Sequence, residues 1–212
     1  MLNGKSFMVF SFVFVFLLGG CAVMKVAREV QSGRRAMQLG NSLAALGHFE
    51  SAALADPDYI TDFTLLDIGI WSYVGMAQYS EGAKGKARAS FKQAKQRHRE
   101  DHFAKVFLGL VMSQDGDRRA GKVELIDGLN GLGQWLDTTR YSTPRGELWD
   151  PGDYLAKEIG QTLKLLQAEE VNWREINDNV IRLARNFDDE IDEVKRDYQF
   201  EVNDDDGSAD KP

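Results

Sequence analysis

One cysteine, Cys21, three histidines and an excess of acidic over basic residues mark this 212-residue chain. A single cysteine excludes a disulfide framework, so the fold has to stand on packing alone. The formal charge of -7 argues against a nucleic-acid-binding protein, which needs a basic face. No glycine-rich phosphate loop of the Walker type and no nucleophile elbow occur, so no enzyme and no cofactor are expected. His98 and His102 are four apart, a spacing that would put both on one helix face. The residues between them, Arg99, Glu100 and Asp101, read as a turn, so no metal site is expected. Asp204, Asp205 and Asp206 do not have the ligand spacing or the terminal Glu of a calcium loop. Beyond residue 21 no apolar run is long enough to cross a membrane.

The N-terminal segment is different. Lys5 precedes an uncharged block from Phe7 to Leu18, and Leu18-Gly19-Gly20-Cys21 follows. A basic start, a short apolar run and small residues before a cut site are the parts of a signal peptide. The segment resembles the lipobox of bacterial lipoproteins. That resemblance implies removal of residues 1–20, acylation of Cys21 and a lipid anchor, and acyl chains in pairs or more hold stably. Ala22, rather than Asp, after the cysteine implies sorting to the outer membrane, on its periplasmic face.

About 190 residues then remain, enough for one domain with a real core. The 43% hydrophobic and 28% charged fractions are those of a globular protein. Eleven acidic and three basic residues lie between Asn186 and Pro212, so the acidity belongs to the C-terminal part and the rest is near neutral.

A repeat organises the middle of the chain. Trp71, Val74-Gly75, Tyr79, Gly82, Ala87, Phe91 and Ala94 form one unit, with helices expected over about 65–80 and 84–96. About 34 residues later, at a period typical of helix–turn–helix repeats, come Phe107, Leu108-Gly109, Met112, Gly116-Asp117, Gly121, Leu125 and Gly128. Upstream, Leu39-Gly40-Asn41 and Gly47-His48-Phe49 through Ala52 read as the same pattern, with Pro57 cutting its second helix short. These stretches resemble tetratricopeptide repeats, about three of them, two degenerate. The expected fold is all-α: a tether over 21–33, tetratricopeptide-like helical hairpins over 34–137, a loop over 138–153 and C-terminal capping helices over 154–200. An acidic disordered tail is expected over 201–212.

In the C-terminal helices, Trp173, Ile176, Val180, Leu183, Phe187, Ile191, Val194 and Tyr198 make one apolar stripe at steps of three and four. It fits either a terminal cap or pairing with a partner or a second copy, a homodimer through helix 173–198. Asp188, Asp189 and Glu190 read as a solvated face.

Tetratricopeptide domains bind through the groove lined by their first helices. The resemblance therefore makes Asn41, Tyr73, Gln78 and Lys105 candidate partner-binding residues, as polar or aromatic groups outside the packing slots. The expected function is a periplasmic scaffold or adaptor binding a protein of an envelope complex. The alternative is a small-molecule binding component associated with a periplasmic transport system. In that case the loop carrying Arg140, Tyr141, Arg145 and Trp149 would close over the ligand.

Overall fold

The computed structural model describes residues 24–61, 66–143 and 146–207, with side chains through 197. The expected signal segment, Cys21 and Arg145 lie outside the described residues. Eight helices carry the described chain: α1 over 24–38, α2 Ser42–Ala55, α3 Ile70–Ser80, α4 Lys84–Arg97, α5 His102–Gln114, α6 Arg118–Ser142, α7 Tyr154–Gln167 and α8 Trp173–Gly207. A single 3-10 turn spans Gly146–Leu148. Among the described residues there is no strand, only one antiparallel bridge between Ile60 and Gly69. The class is all-α.

The first six helices form three hairpins built on one local rule. Gly40, Gly82 and Gly116 each follow the first helix with φ of 74°, 74° and 99°, a left-handed cap that glycine adopts without strain. The next residue reaches back five positions each time: Asn41 N–H to Ala36, Ala83 to Gln78, and Asp117 to Met112, at 2.8–3.0 Å. Seven residues before each turn stands another glycine: Gly33, Gly75 and Gly109. A Cβ on Gly33 or Gly75 would overlap the ring of Phe49 or Phe91, and one on Gly109 would overlap the backbone of α6. In the first two hairpins the glycine makes room for a ring, and in the third it lets the two backbones approach directly. Asn41, Asp101 and Asp117 cap α2, α5 and α6 by accepting from Ala44, Ala104 and Ala120.

The first hairpin corrects the expected register. Gly40 is its turn, not the helix-packing glycine, and Gly47 sits in the middle of α2 with open space beside it. The first helix is α1, which takes up most of the expected 21–33 tether and buries Val26 and Val30. Leu39 consequently points to solvent. Pro57 does not shorten α2. It follows the C-cap Asp56, where a missing N–H costs nothing. Between the first and second hairpins the spacing is eight residues longer than between the second and third. The excess lies before α3, where Thr61 and Ile70 donate to Ile68 and Tyr59. This extended stretch delays α3 to Ile70.

Two further boundaries move. Helix α6 runs to Ser142, so the loop begins at Thr143 rather than 138. The backbone of α8 stays helical to Gly207, the first glycine or proline it meets, so the tail expected from 201 is helical over its first seven residues. Helix α7 starts where expected, and Asp150 caps it by accepting from Leu155 and Ala156 at 2.9 and 3.0 Å.

Helix α8 is laid across α1, α3 and α5. Its stripe of Ile176, Val180, Leu183, Phe187, Ile191 and Val194 is buried in the common core. Phe187 meets Phe103 of α5 edge to face at 5.3 Å. Tyr79 of α3 donates to Asn177 at 2.5 Å, and Gln114 of α5 donates to the same oxygen at 3.1 Å. The stripe from Ile176 to Val194 thus caps this chain's own hairpins.

Because Gly75 touches a ring, Gly75→Ala should cost about 1–3 kcal/mol by overpacking. Gly160, exposed in mid-α7 with nothing within 4 Å of the place a Cβ would take, should respond in the opposite sense. Gly160→Ala should stabilise by about 0.5–1 kcal/mol through helix propensity and lost unfolded-state freedom. Urea unfolding of the two variants checks the sign difference.

Candidate functional site

Laying α8 over three helices whose side chains differ in length leaves space between them. A cavity of about 240 Å³ lies where α1, α2, α3 and α5 face α8. Its walls are largely apolar: Met37, Phe49, Tyr73, Met76, Phe107 and, from α8, Ile181 and Ala184. Phe49 and Tyr73 stack with centroids 5.2 Å apart, which makes one wall flat and aromatic.

One side of the cavity is ionic. Arg34 of α1, almost fully buried, donates from Nε to Asp188 Oδ1 at 2.5 Å and from Nη2 to the Asp188 carbonyl at 3.0 Å. The same Nη2 lies 2.9 Å from Asp192 Oδ1. Gln38 donates to both carboxylates, at 2.8 and 3.0 Å. Burial raises the Asp188 carboxyl above its usual range, and the Arg34 cation pulls it back. Burial works against the Arg34 charge, but Tyr73, Asp188 and Asp192 outweigh it and the guanidinium is held more firmly protonated than usual. Asp188 is therefore the anchor of α8 on α1 and not part of a solvated face. Ser42, Ser80 and Arg185 complete the polar lining. The site offers hydrogen-bonding groups at one side of an apolar slot.

The expected partner-binding residues do not come together. Asn41 is the exposed cap of α2. Tyr73 lines the cavity but is only 4% exposed, its hydroxyl 3.1 Å from that of Thr61. Burial pushes that phenol well above its ordinary range. Gln78 is 7% exposed and accepts from Ser90 of α4 at 2.8 Å, so it joins the two helices of its hairpin. Lys105 pairs with Asp127 at 3.0 Å in the third hairpin. Tyr73 and Gln78 face no open groove, because α8 covers one and α4 the other.

The loop residues are also placed elsewhere. Arg140 pairs with Asp153 at 2.7 Å, and Tyr141 is exposed beside it. Trp149 is buried edge-on against Trp135, centroids 4.9 Å apart. The main-chain N–H of Asp150 donates to Glu190 of α8. The loop is packed onto α6 and α8, and none of its described residues lines the cavity. His98 ends α4 and His102 opens α5, on the two sides of the expected turn. Among the described residues no group of three or more His, Cys, Asp or Glu is arranged to hold a metal ion.

Sequence reasoning missed Arg34, Asp188, Met37 and Met76. Arg34 is a charge in line with the buried residues of α1, four after Val30, and Asp188 directly follows Phe187 of the apolar stripe. Two opposite charges at the margins of two apolar faces are the available signal that the faces meet.

A second buried carboxylate gives the fold a pH dependence. Asp101, fully buried, accepts from Gly69 N–H at 2.8 Å, Ser72 hydroxyl at 2.7 Å and Ala104 N–H at 2.9 Å. Burial pushes it up to about 6 from 3.8, against the pull of these three donors. The folded state therefore binds the proton more tightly than the unfolded state. Its contribution to stability is largest below 3.8 and is lost as pH rises through about 6. Relative to Asp101→Asn, which does not titrate, the original chain should gain stability as pH is lowered from 7 towards 4.5, measured as urea midpoints. No family model matches this chain, and no curated protein is found to be similar to it.

Proposed function

We propose that this is a lipid-anchored, tetratricopeptide-like binding protein of the bacterial cell envelope that holds a small apolar molecule in the cavity beneath α8. The observation that carries the ligand reading is the cavity itself. At about 240 Å³ it is larger than the ~150 Å³ apolar cavity that takes up benzene. Its aromatic wall and the polar groups at one side suit a ligand with an aromatic or branched apolar body and one hydrogen-bonding group. Service to a periplasmic solute-transport system is the setting we propose for such a ligand.

The scaffold reading asks more of the molecule. A partner segment in the groove would have to displace α8. Re-exposing its six buried apolar side chains costs roughly 10 kcal/mol or more, at about 1.5–3 kcal/mol each. That is comparable with the whole stability of an ordinary domain, about 5–15 kcal/mol. The tetratricopeptide proposal is supported by the shared hairpin spacing: glycine, turn glycine seven later, then a small residue at five, a large one at nine and a small one at twelve. The positions are Ala45, Phe49 and Ala52, then Ala87, Phe91 and Ala94, then Gly121, Leu125 and Gly128. The anchor and the outer-membrane location rest on the lipobox and on Ala22.

Two experiments test this. Indole, followed by ligand-observed NMR, should bind the original protein and lose that binding in Met76→Trp, which fills the slot, while the melting temperature stays close to the original. Binding that survives in Met76→Trp places the ligand elsewhere, and absence of binding by indole and by p-cresol alike rejects the reading. Separately, Cys21→Ser should leave the membrane fraction or remain unprocessed. Fractionation of Cys21→Ser with the outer membrane rejects the anchor.

A further inference from the structure

Helix α2 breaks the usual rule for the end of a helical stack, whose outer face should be polar. Leu43 is 68% exposed and Leu54 88% exposed. They stand eleven residues apart, three turns of helix, so they share one face about 16 Å long. Gly47 on the same face adds no side chain, and Glu50 is its acidic residue. The hairpin is antiparallel, since only residues 39–41 join its two helices and Asn41 N–H reaches back to Ala36 at 2.8 Å. Leu54 is therefore returned towards the start of α1, where Met24 is also 72% exposed.

The same hairpin is basic. Lys25, Arg28 and Arg35 are exposed along α1, and none of them forms an ion pair among the described residues. This cationic stretch belongs to a chain of net charge -7. Apolar side chains beside exposed cations are the composition of a surface that rests on anionic phospholipid. The chain preceding the described residues fixes which surface is near. Cys21 is three residues before Met24, so an acyl anchor there brings the first hairpin to the bilayer before any other part of the molecule.

We propose that the exposed face of the first hairpin, apolar along α2 and basic along α1, lies on the anionic phospholipid surface in which Cys21 is anchored. The inference rests on the lipid-anchor reading for its choice of surface. Leucine and methionine side chains enter the interfacial layer, and the three cations meet lipid phosphates. A two-fold dimer through the same face would instead set this cationic rim against an identical one.

Hydroxyl-radical footprinting of the full chain tests it without altering the face. The protein is reconstituted in vesicles of two parts phosphatidylcholine to one part phosphatidylglycerol. Oxidation of Leu43 and Leu54 is then compared with that of Val123, an exposed apolar residue on α6. On these vesicles both leucines should be protected several-fold while Val123 is not. Vesicles of phosphatidylcholine alone, or the change Lys25→Glu with Arg28→Glu, should remove most of that protection. Leucines as reactive as Val123 on the anionic vesicles overturn the proposal. So does equal protection without vesicles, which would mean that a second copy covers the face. The N-terminal peptide of the same digest reports whether Cys21 carries acyl chains. An unmodified Cys21 with protected leucines sinks the anchor but not the face, and an acylated Cys21 with reactive leucines does the reverse.

Discussion

The structure depends on one burial event, the seating of the α8 stripe along α1, α3 and α5. Three hairpins in a row offer an inner face with aromatic and aliphatic side chains and no partner of their own. Helix α8 supplies that partner from the same chain, with Phe187 against Phe103 at its centre and the Arg34–Asp188 pair at its edge. The ion pair gives register more than energy. A buried guanidinium that finds two carboxylates only one turn apart on α8 fixes how far the helix can slide along α1.

From this seating follows the character of the site. An open groove would present polar side chains to an extended peptide. Here the groove is filled, and what is left is a partly open slot whose walls come from five helices. The polar residues of α3 are turned to internal work: Gln78 ties α3 to α4, and Tyr73 completes an aromatic wall. The outward chemistry of the molecule is displaced to its ends, to the apolar and basic first hairpin and the acidic end of α8.

Much of this architecture is legible in residues. Gly82 and Gly116 announce their turns, because only glycine takes a left-handed cap without strain and each is followed by a small-large-small sequence in fixed steps. The first hairpin is misread for a specific reason. Gly33, Gly40 and Gly47 are equally spaced by seven, so the glycine-to-turn interval fits twice. The large slot nine residues after the turn decides between them. It holds Phe49 if Gly40 is the turn and Asp56 if Gly47 is. The stripe on α8 is equally plain as a pattern, but a pattern does not say what it packs against. That information lies in the complementary charges of Arg34 and Asp188, which are 154 residues apart and carry no local signal. The candidate site fails with it, since Tyr73 and Gln78 are exposed only on an inner helix that nothing covers.

Native-state hydrogen exchange along α8 tests the account at its centre. If the stripe is a structural part of the fold, the amides of Ile176 to Val194 should exchange only through the same global opening that releases the core amides of α5. Exchange of α8 by a separate, lower-energy opening, with α3 and α5 still protected, would contradict it. The helix would then be a detachable strap, and the groove beneath it would be open to a partner.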